Sequence, residues 1–124
     1  MKYCIAMNKV KNFIREHNLI LPKSKILLAI SGGKDSVTLL DIMDKIKSDF
    51  NFEIVVAHVN HKLRKKESDR DAEFVKNLSK SYKLRFYLKT IKKTEYKRLL
   101  NHSPEERARI LRYEKLNEIL KQTG

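Results

Sequence analysis

Lys25-Ile-Leu-Leu-Ala-Ile-Ser-Gly-Gly-Lys-Asp-Ser-Val-Thr-Leu-Leu-Asp41 carries a short apolar run through two glycines directly into a helical pattern. Ile26 to Ile30 are continuous and apolar, as in a parallel strand buried on both faces, whereas Val37, Leu39, Leu40 and Met43 recur at roughly helical spacing. The stretch therefore predicts a strand, a tight turn and a helix. Gly32 and Gly33 can adopt dihedrals closed to other residues and let a ligand approach the backbone closely. The N–H groups of the first helical turn have no intrahelical acceptor, so the joint suits an anion. Two glycines also serve an ordinary strand-to-helix turn, and here the neighbours favour the anion. Ser31 and Ser36 add hydroxyls, Lys34 a cation, and Asp35 a carboxylate where a phosphate-bound magnesium ion can use it. The pattern is neither a Walker loop, because Asp35 separates Lys34 from Ser36, nor a dinucleotide fingerprint, because a third glycine is missing.

Outward from this stretch, the chain reads as alternating elements. Met7, Val10, Phe13 and Ile14 predict an amphipathic helix from about Ile5 to His17, ended by a turn over Asn18 to Ser24 in which Pro22 bars further helix. Lys45 to Asn51 reads as a polar loop, Phe52 to Val59 as a second buried strand, and Asn60 to Lys66 as a basic loop. Ala72, Phe74, Val75 and Leu78 predict a helix over Glu67 to Tyr82, followed by a strand from Arg85 to Ile91 with Phe86 and Leu88 on one face. Lys92 to His102 suggests a short helix ending in a loop. Ser103, Pro104 and Glu106 then form a capping-box signature for a helix to about Gln122, with Ala108, Leu111, Leu116, Ile119 and Leu120 as its apolar stripe. The order predicts an α/β fold with a doubly wound parallel sheet, incomplete, with three strands and an N-terminal helix. At 124 residues the chain is one partial domain, residues 1–124.

Charge narrows the partners. Lys and Arg number 28 against 15 Asp and Glu, a net charge of +13. Residues 1–60 hold 9 basic and 6 acidic side chains, so +3, and residues 61–124 hold 19 and 9, so +10. An excess lying after the glycine turn points to a polyanionic partner, nucleic acid first. The single cysteine, Cys4, excludes an intramolecular disulfide and any Cys-x-x-Cys site within these residues. The apolar runs are too short for a bilayer span of ~20 residues, and no signal-peptide core is evident, so a cytoplasmic protein without membrane contact is the expectation.

Ala57-His-Val-Asn-His-Lys-Leu-Arg64 lies at the carboxyl end of the second predicted strand, the edge where open α/β sheets gather ligands. Three readings stay open for its histidines. They can be a metal pair that lacks a third ligand, a core histidine (His58) beside a loop residue (His61), or a nucleotide-facing cluster in which His61 and Arg64 supply donors. Arg109 and Arg112, at i and i+3, share a helix face and can clamp a phosphate, although arginines among Glu105, Glu106 and Glu114 also suit a solvated surface.

Ser31-Gly-Gly-Lys-Asp-Ser36 resembles the pyrophosphate loop of the ATP pyrophosphatase superfamily, whose members cleave ATP between its first two phosphates and adenylate a substrate. His58-Val-Asn-His61 with Leu63-Arg64 and Glu67-Ser-Asp-Arg-Asp71 is similar to the second motif of tRNA(Ile)-lysidine synthetases. Ser103-Pro-Glu-Glu-Arg-Ala-Arg-Ile-Leu-Arg-Tyr113 is similar to that family's Ser-x-Glu-x-x-Ala-Arg-x-x-Arg-Tyr segment. The three motifs span about Lys25 to Leu120. The resemblance implies an adenine nucleotide alpha hydrolase-like fold, ATP and Mg2+ as cofactors, and tRNA(Ile) with a cytidine wobble base and L-lysine as substrates. The cytidine would be adenylated and lysine would displace AMP, giving lysidine. Ser31, Gly32, Gly33, Lys34, Asp35 and Ser36 would hold the nucleotide, Asp35 the metal, and His61, Arg64, Arg109 and Arg112 would line the cytidine and adenylate side. Lys62 stands where that family usually has glycine. The same loop also suits tRNA cytidine-thiolating relatives, which carry Cys-x-x-Cys pairs, and a non-catalytic ATP- or RNA-binding module. In the family a further strand and a second metal carboxylate follow. Residues 1–124 are thus expected to be an N-terminal portion that alone binds nucleotide weakly, makes no lysidine, and self-associates through the open sheet edge at Lys25 to Ile30.

Overall fold

The protein, seen in a computed structural model, is described over residues 4–17, 19–62 and 65–123. In chain order these form α1 (Cys4–His17), β1 (Ser24–Ala29), α2 (Lys34–Phe50), β2 (Phe52–Asn60), α3 (Lys65–Ser81), β3 (Arg85–Thr90), α4 (Lys93–Lys97) and α5 (Pro104–Thr123). The strands make one parallel sheet in the order β1-β2-β3, with Leu28 opposite Val56 and Val56 opposite Phe86.

Side chains alternate across the pleat, which sorts the two layers. Ile26, Leu28, Ile54, Val56 and Phe86 point to a core shared with Ile14 of α1, Leu40, Met43 and Ile46 of α2, and Val75 of α3. Val55 and Ala57, on the opposite face, lie on the side of the sheet covered by α5, which packs against β2 and β3. Leu111 and Ile119 are fully buried in α5, and Lys89 of β3 reaches Glu118 at 3.8 Å. The end of α5 returns to the start of β1, where Lys25 Nζ donates to the Thr123 carbonyl at 3.1 Å. Ala29, at the end of β1, is exposed. Helices thus flank both faces, as a doubly wound sheet requires.

Several boundaries differ from the sequence reading. Lys45 to Asn51 is not a loop: α2 continues to Phe50. Its charges lie outside, as Asp41–Lys45 and Asp44–Lys47 pairs, each 2.7 Å, while Ile46 is fully buried one turn beyond Met43. Asn51, at φ 54°, closes the helix by donating its N–H to the Lys47 carbonyl. The loop expected over Asn60 to Lys66 is shorter, because α3 begins at Lys65. Phe74, Leu88 and Leu120, expected on apolar faces, are 47%, 45% and 49% exposed. Ser103 caps α5 by accepting from Glu106 N at 3.2 Å, but the Glu106 carboxylate meets His102 Nδ1 at 3.2 Å, so the capping box is half made.

Candidate nucleotide site

The glycine turn is shaped by its own hydroxyls. Ser36 Oγ accepts from Gly32 N and Ser31 Oγ, both at 3.2 Å, and donates to the Gly33 carbonyl at 2.9 Å. Ser31 Oγ in turn accepts from Gly33 N at 3.3 Å. A hydroxyl has one hydrogen to give, so each of these serines spends it inside the loop. Gly32 sits at φ +98°, where an L side chain is strained; Gly33 caps α2 in extended backbone at φ −74°, ψ 163°. The turn therefore aims the first-turn amides of Lys34, Asp35 and Ser36 past the end of β1, with the positive end of the α2 dipole behind them. Lys34 and Asp35 are exposed there.

These groups border a cleft of about 670 Å3 at the carboxyl edge of the sheet. Its floor includes Ala29 and Ala57, directly paired across β1 and β2. One wall is Ser31 and Gly33; Asn60, His61, Ser68 and Asp71 border it from β2 and α3; Arg112, Tyr113 and Leu116 of α5 face it. The volume is that of a small-molecule site. Of the residues singled out from sequence, Ser31, Gly33, His61 and Arg112 converge on this cleft, and Asp35 and Lys34 lie in the turn that follows Gly33. Arg109 is exposed one turn from Arg112, outside the cleft lining, and Arg64 falls outside the described residues.

The two histidines separate. His58 is buried, and its Nδ1 donates to the Ile30 carbonyl at 2.7 Å, tying β2 to the entrance of the turn. The neutral ring then has Nδ1 as the donor and Nε2 as an acceptor. His61 lies in the cleft lining with Nδ1 3.3 Å from Ser68 Oγ. Its carbonyl accepts from Tyr96 Oη at 2.7 Å. Lys62 follows at φ 58°, the left-handed region that favours glycine, and its amide donates to Asn60 Oδ1 at 3.0 Å. Asn60 Nδ2 and Lys62 Nζ both reach Asp69, and the Lys62 ammonium first, then the Asn60 amide, hold that carboxyl below the usual aspartate range.

α4 braces the cleft from outside. Glu95 receives Lys92 N at 3.1 Å and Lys115 Nζ at 2.8 Å, and Arg98 meets Glu114 at 2.7 Å. Tyr96 thus ties α4 to the His61 wall while Glu95 ties it to the Arg112 wall. The Lys115 ammonium, then the Lys92 amide, hold the Glu95 carboxyl below the usual glutamate range, and Glu95 raises Lys115 in return. Sequence reasoning missed Asp71, Tyr96, Tyr113 and Lys115 as site residues. Asp71 had a signal: it shares the face of Ser68, Ala72 and Val75, and its Cβ lies 3.6 Å from where a Gly32 Cβ would stand.

Among the described residues no group of three His, Cys, Asp or Glu is placed to hold a metal alone. Asp35 by itself suits a magnesium ion that takes its remaining ligands from phosphates and water. A glycine turn feeding a helix N-terminus into a cleft at the carboxyl edge of a parallel sheet defines an α/β nucleotide-binding domain. The chain belongs to the PP-loop domain family, which matches residues 3–124. It is 44% identical over 115 residues to tRNA(Ile)-lysidine synthase of Clostridioides difficile, covering 93% of this chain and 25% of that protein. It is 36% identical over 118 residues to tRNA(Ile)-lysidine synthase of Caldanaerobacter subterraneus, covering 95% and 25%. The chain thus spans about a quarter of the length of these relatives. In fold it is similar to a U34-tRNA thiolase from Methanococcus maripaludis, with TM-score 0.69 and 18% identity over 91% of this chain and 39% of that one. No helix among the described residues is long and apolar enough to cross a membrane.

Proposed function

We propose that these residues form the ATP-binding, base-activating part of an enzyme that converts the wobble cytidine of tRNA(Ile) to lysidine. The observation that carries the reading is the convergence of the Ser31–Ser36 turn, His61 and Arg112 on one cleft, in a chain 44% identical to a lysidine synthase across that region. The amides of the first α2 turn take the pyrophosphate oxygens of ATP, and Gly33, lacking a side chain, leaves room for them. Asp35 would hold a magnesium ion, which would supply positive charge to the departing pyrophosphate. Across the cleft the Arg112 guanidinium offers planar paired donors to charge on the α-phosphate, with His61 in the same lining and Arg109 one helical turn away outside it. A base carbonyl oxygen attacks the α-phosphorus, forming the adenylate as pyrophosphate leaves; the lysine amine then forms the C–N bond, loses a proton and releases AMP.

The basic segment Lys62 to Arg98, with 14 basic and 5 acidic residues, supports contact with the tRNA backbone. The free outer edge of β1 among the described residues supports pairing with a further strand, a second copy included. Labelled-lysine transfer tests the function: these residues, carried in a chain of the relatives' full length, are given ATP, magnesium, lysine and tRNA(Ile) with a cytidine wobble base. Lysine retained on the tRNA in step with AMP formation is expected. AMP formed without lysine incorporation, or sulfur incorporated instead, overturns the lysidine reading.

A further inference from the structure

The geometry points to Tyr113 as the stacking platform for a nucleobase held in the cleft, an inference that rests on the nucleotide reading above. The other described tyrosines have structural work. Tyr82 Oη donates to Asp41 Oδ1 at 2.7 Å, Tyr96 Oη donates to the His61 carbonyl, and Tyr87 sits half-buried on β3 opposite Ala57. Tyr113 differs: it is 57% exposed, borders the cleft, and its hydroxyl makes no hydrogen bond to the described residues. The Arg112 guanidinium carbon lies 5.9 Å from its ring centroid, so a cation already lies near the ring. Ala29, a small exposed residue at the end of β1, borders the same cleft and takes little of its space. An exposed aromatic beside an arginine at the rim of a cleft is the chemistry by which proteins hold an unstacked base, whatever its identity. The base is either the adenine of ATP or the splayed base of the RNA, and both present the same π-face.

Binding of two probes distinguishes these sources: ATP with magnesium, and an anticodon stem–loop RNA carrying an unpaired cytidine. Each is titrated into the protein and into Tyr113→Phe, Tyr113→Leu and Tyr113→Ala. Stacking on an aromatic is lost on truncation by a factor of roughly 5 to 150. The expected result is such a loss for Leu and Ala in at least one arm, with Phe retaining affinity; the arm that responds names the base. The Leu variant keeps apolar helix packing, so a structural role predicts Leu and Phe alike. Equal affinities for Phe and Leu in both arms overturn the inference, as does unchanged binding by Ala. Failure of the unsubstituted protein to bind either probe instead removes the nucleotide reading itself.

Discussion

The two glycines of the turn make opposite predictions under the same substitution. At Gly32, with φ +98°, an added Cβ meets Asp71 and Val75 at 3.6 Å, ordinary contact, so space is not the obstacle and the backbone is. An L residue held there costs roughly 1–3 kcal/mol. At Gly33, with φ −74° and ψ 163°, any residue is comfortable, and the added Cβ meets only Ser31 Oγ at 3.5 Å. Both Gly→Ala changes restrict the unfolded chain by about 0.4–1 kcal/mol, a contribution that cancels when the variants are compared. Gly32→Ala is therefore expected to be less stable than Gly33→Ala by about 1–3 kcal/mol in urea unfolding with unchanged m-value. ATP binding ranks differently, because Gly33 lines the cleft at the cap of α2 and an added methyl there takes space at the proposed phosphate position: Gly33→Ala loses affinity while keeping its fold. Equal stabilities, or a Gly33→Ala variant less stable than Gly32→Ala, refute the reasoning.

Asp35→Asn should weaken magnesium-dependent ATP binding more than Lys34→Ala, since in the proposed site the carboxylate would hold the metal whereas the loop amides already supply positive potential; titrations with and without magnesium check it. RNA affinity should fall with log[salt] at a slope of about −0.7 to −0.9 per phosphate contact, and a flat profile removes the basic segment from recognition. Tyr96→Phe, which deletes the bond to the His61 carbonyl, should cost about 0.5–1.5 kcal/mol in unfolding. The Glu95 carboxyl, lowered by Lys115, contributes stability that is complete above its unfolded value and lost as pH falls through the folded one. Lys115, raised by Glu95, contributes below its unfolded value and loses that only at high pH. The stability gap between the protein and Glu95→Gln should thus be present at neutral pH and close below the ordinary glutamate range, as thermal unfolding across pH would show.

What was legible in the sequence was local. The turn at Gly32 and Gly33 announces itself because strand, glycines and helix are contiguous, and the parallel order follows from alternating periods. The end of α2 was hidden because Lys45, Lys47 and Asp49 dress its outer face while Ile46 stays buried. The serine hydroxyls read as ligand donors, and only the folded turn shows them bonded to one another. The brace through α4 depends on contacts 35 residues apart, Tyr96 to His61, and on Lys115 reaching Glu95 from another helix. No spacing rule exposes such pairs. Tyr113 was visible only as the last letter of a motif until α5 placed it at the cleft.

The most direct test of the account is an ATP–magnesium titration of the 15N-labelled protein followed by amide NMR. The largest shifts should fall on Gly33, Lys34, Asp35 and Ser36, with smaller ones at His61 and Arg112. Shifts centred instead on the apolar groove of Val10, Phe13, Ile20 and Met43 between α1 and α2, with the turn unmoved, would contradict it.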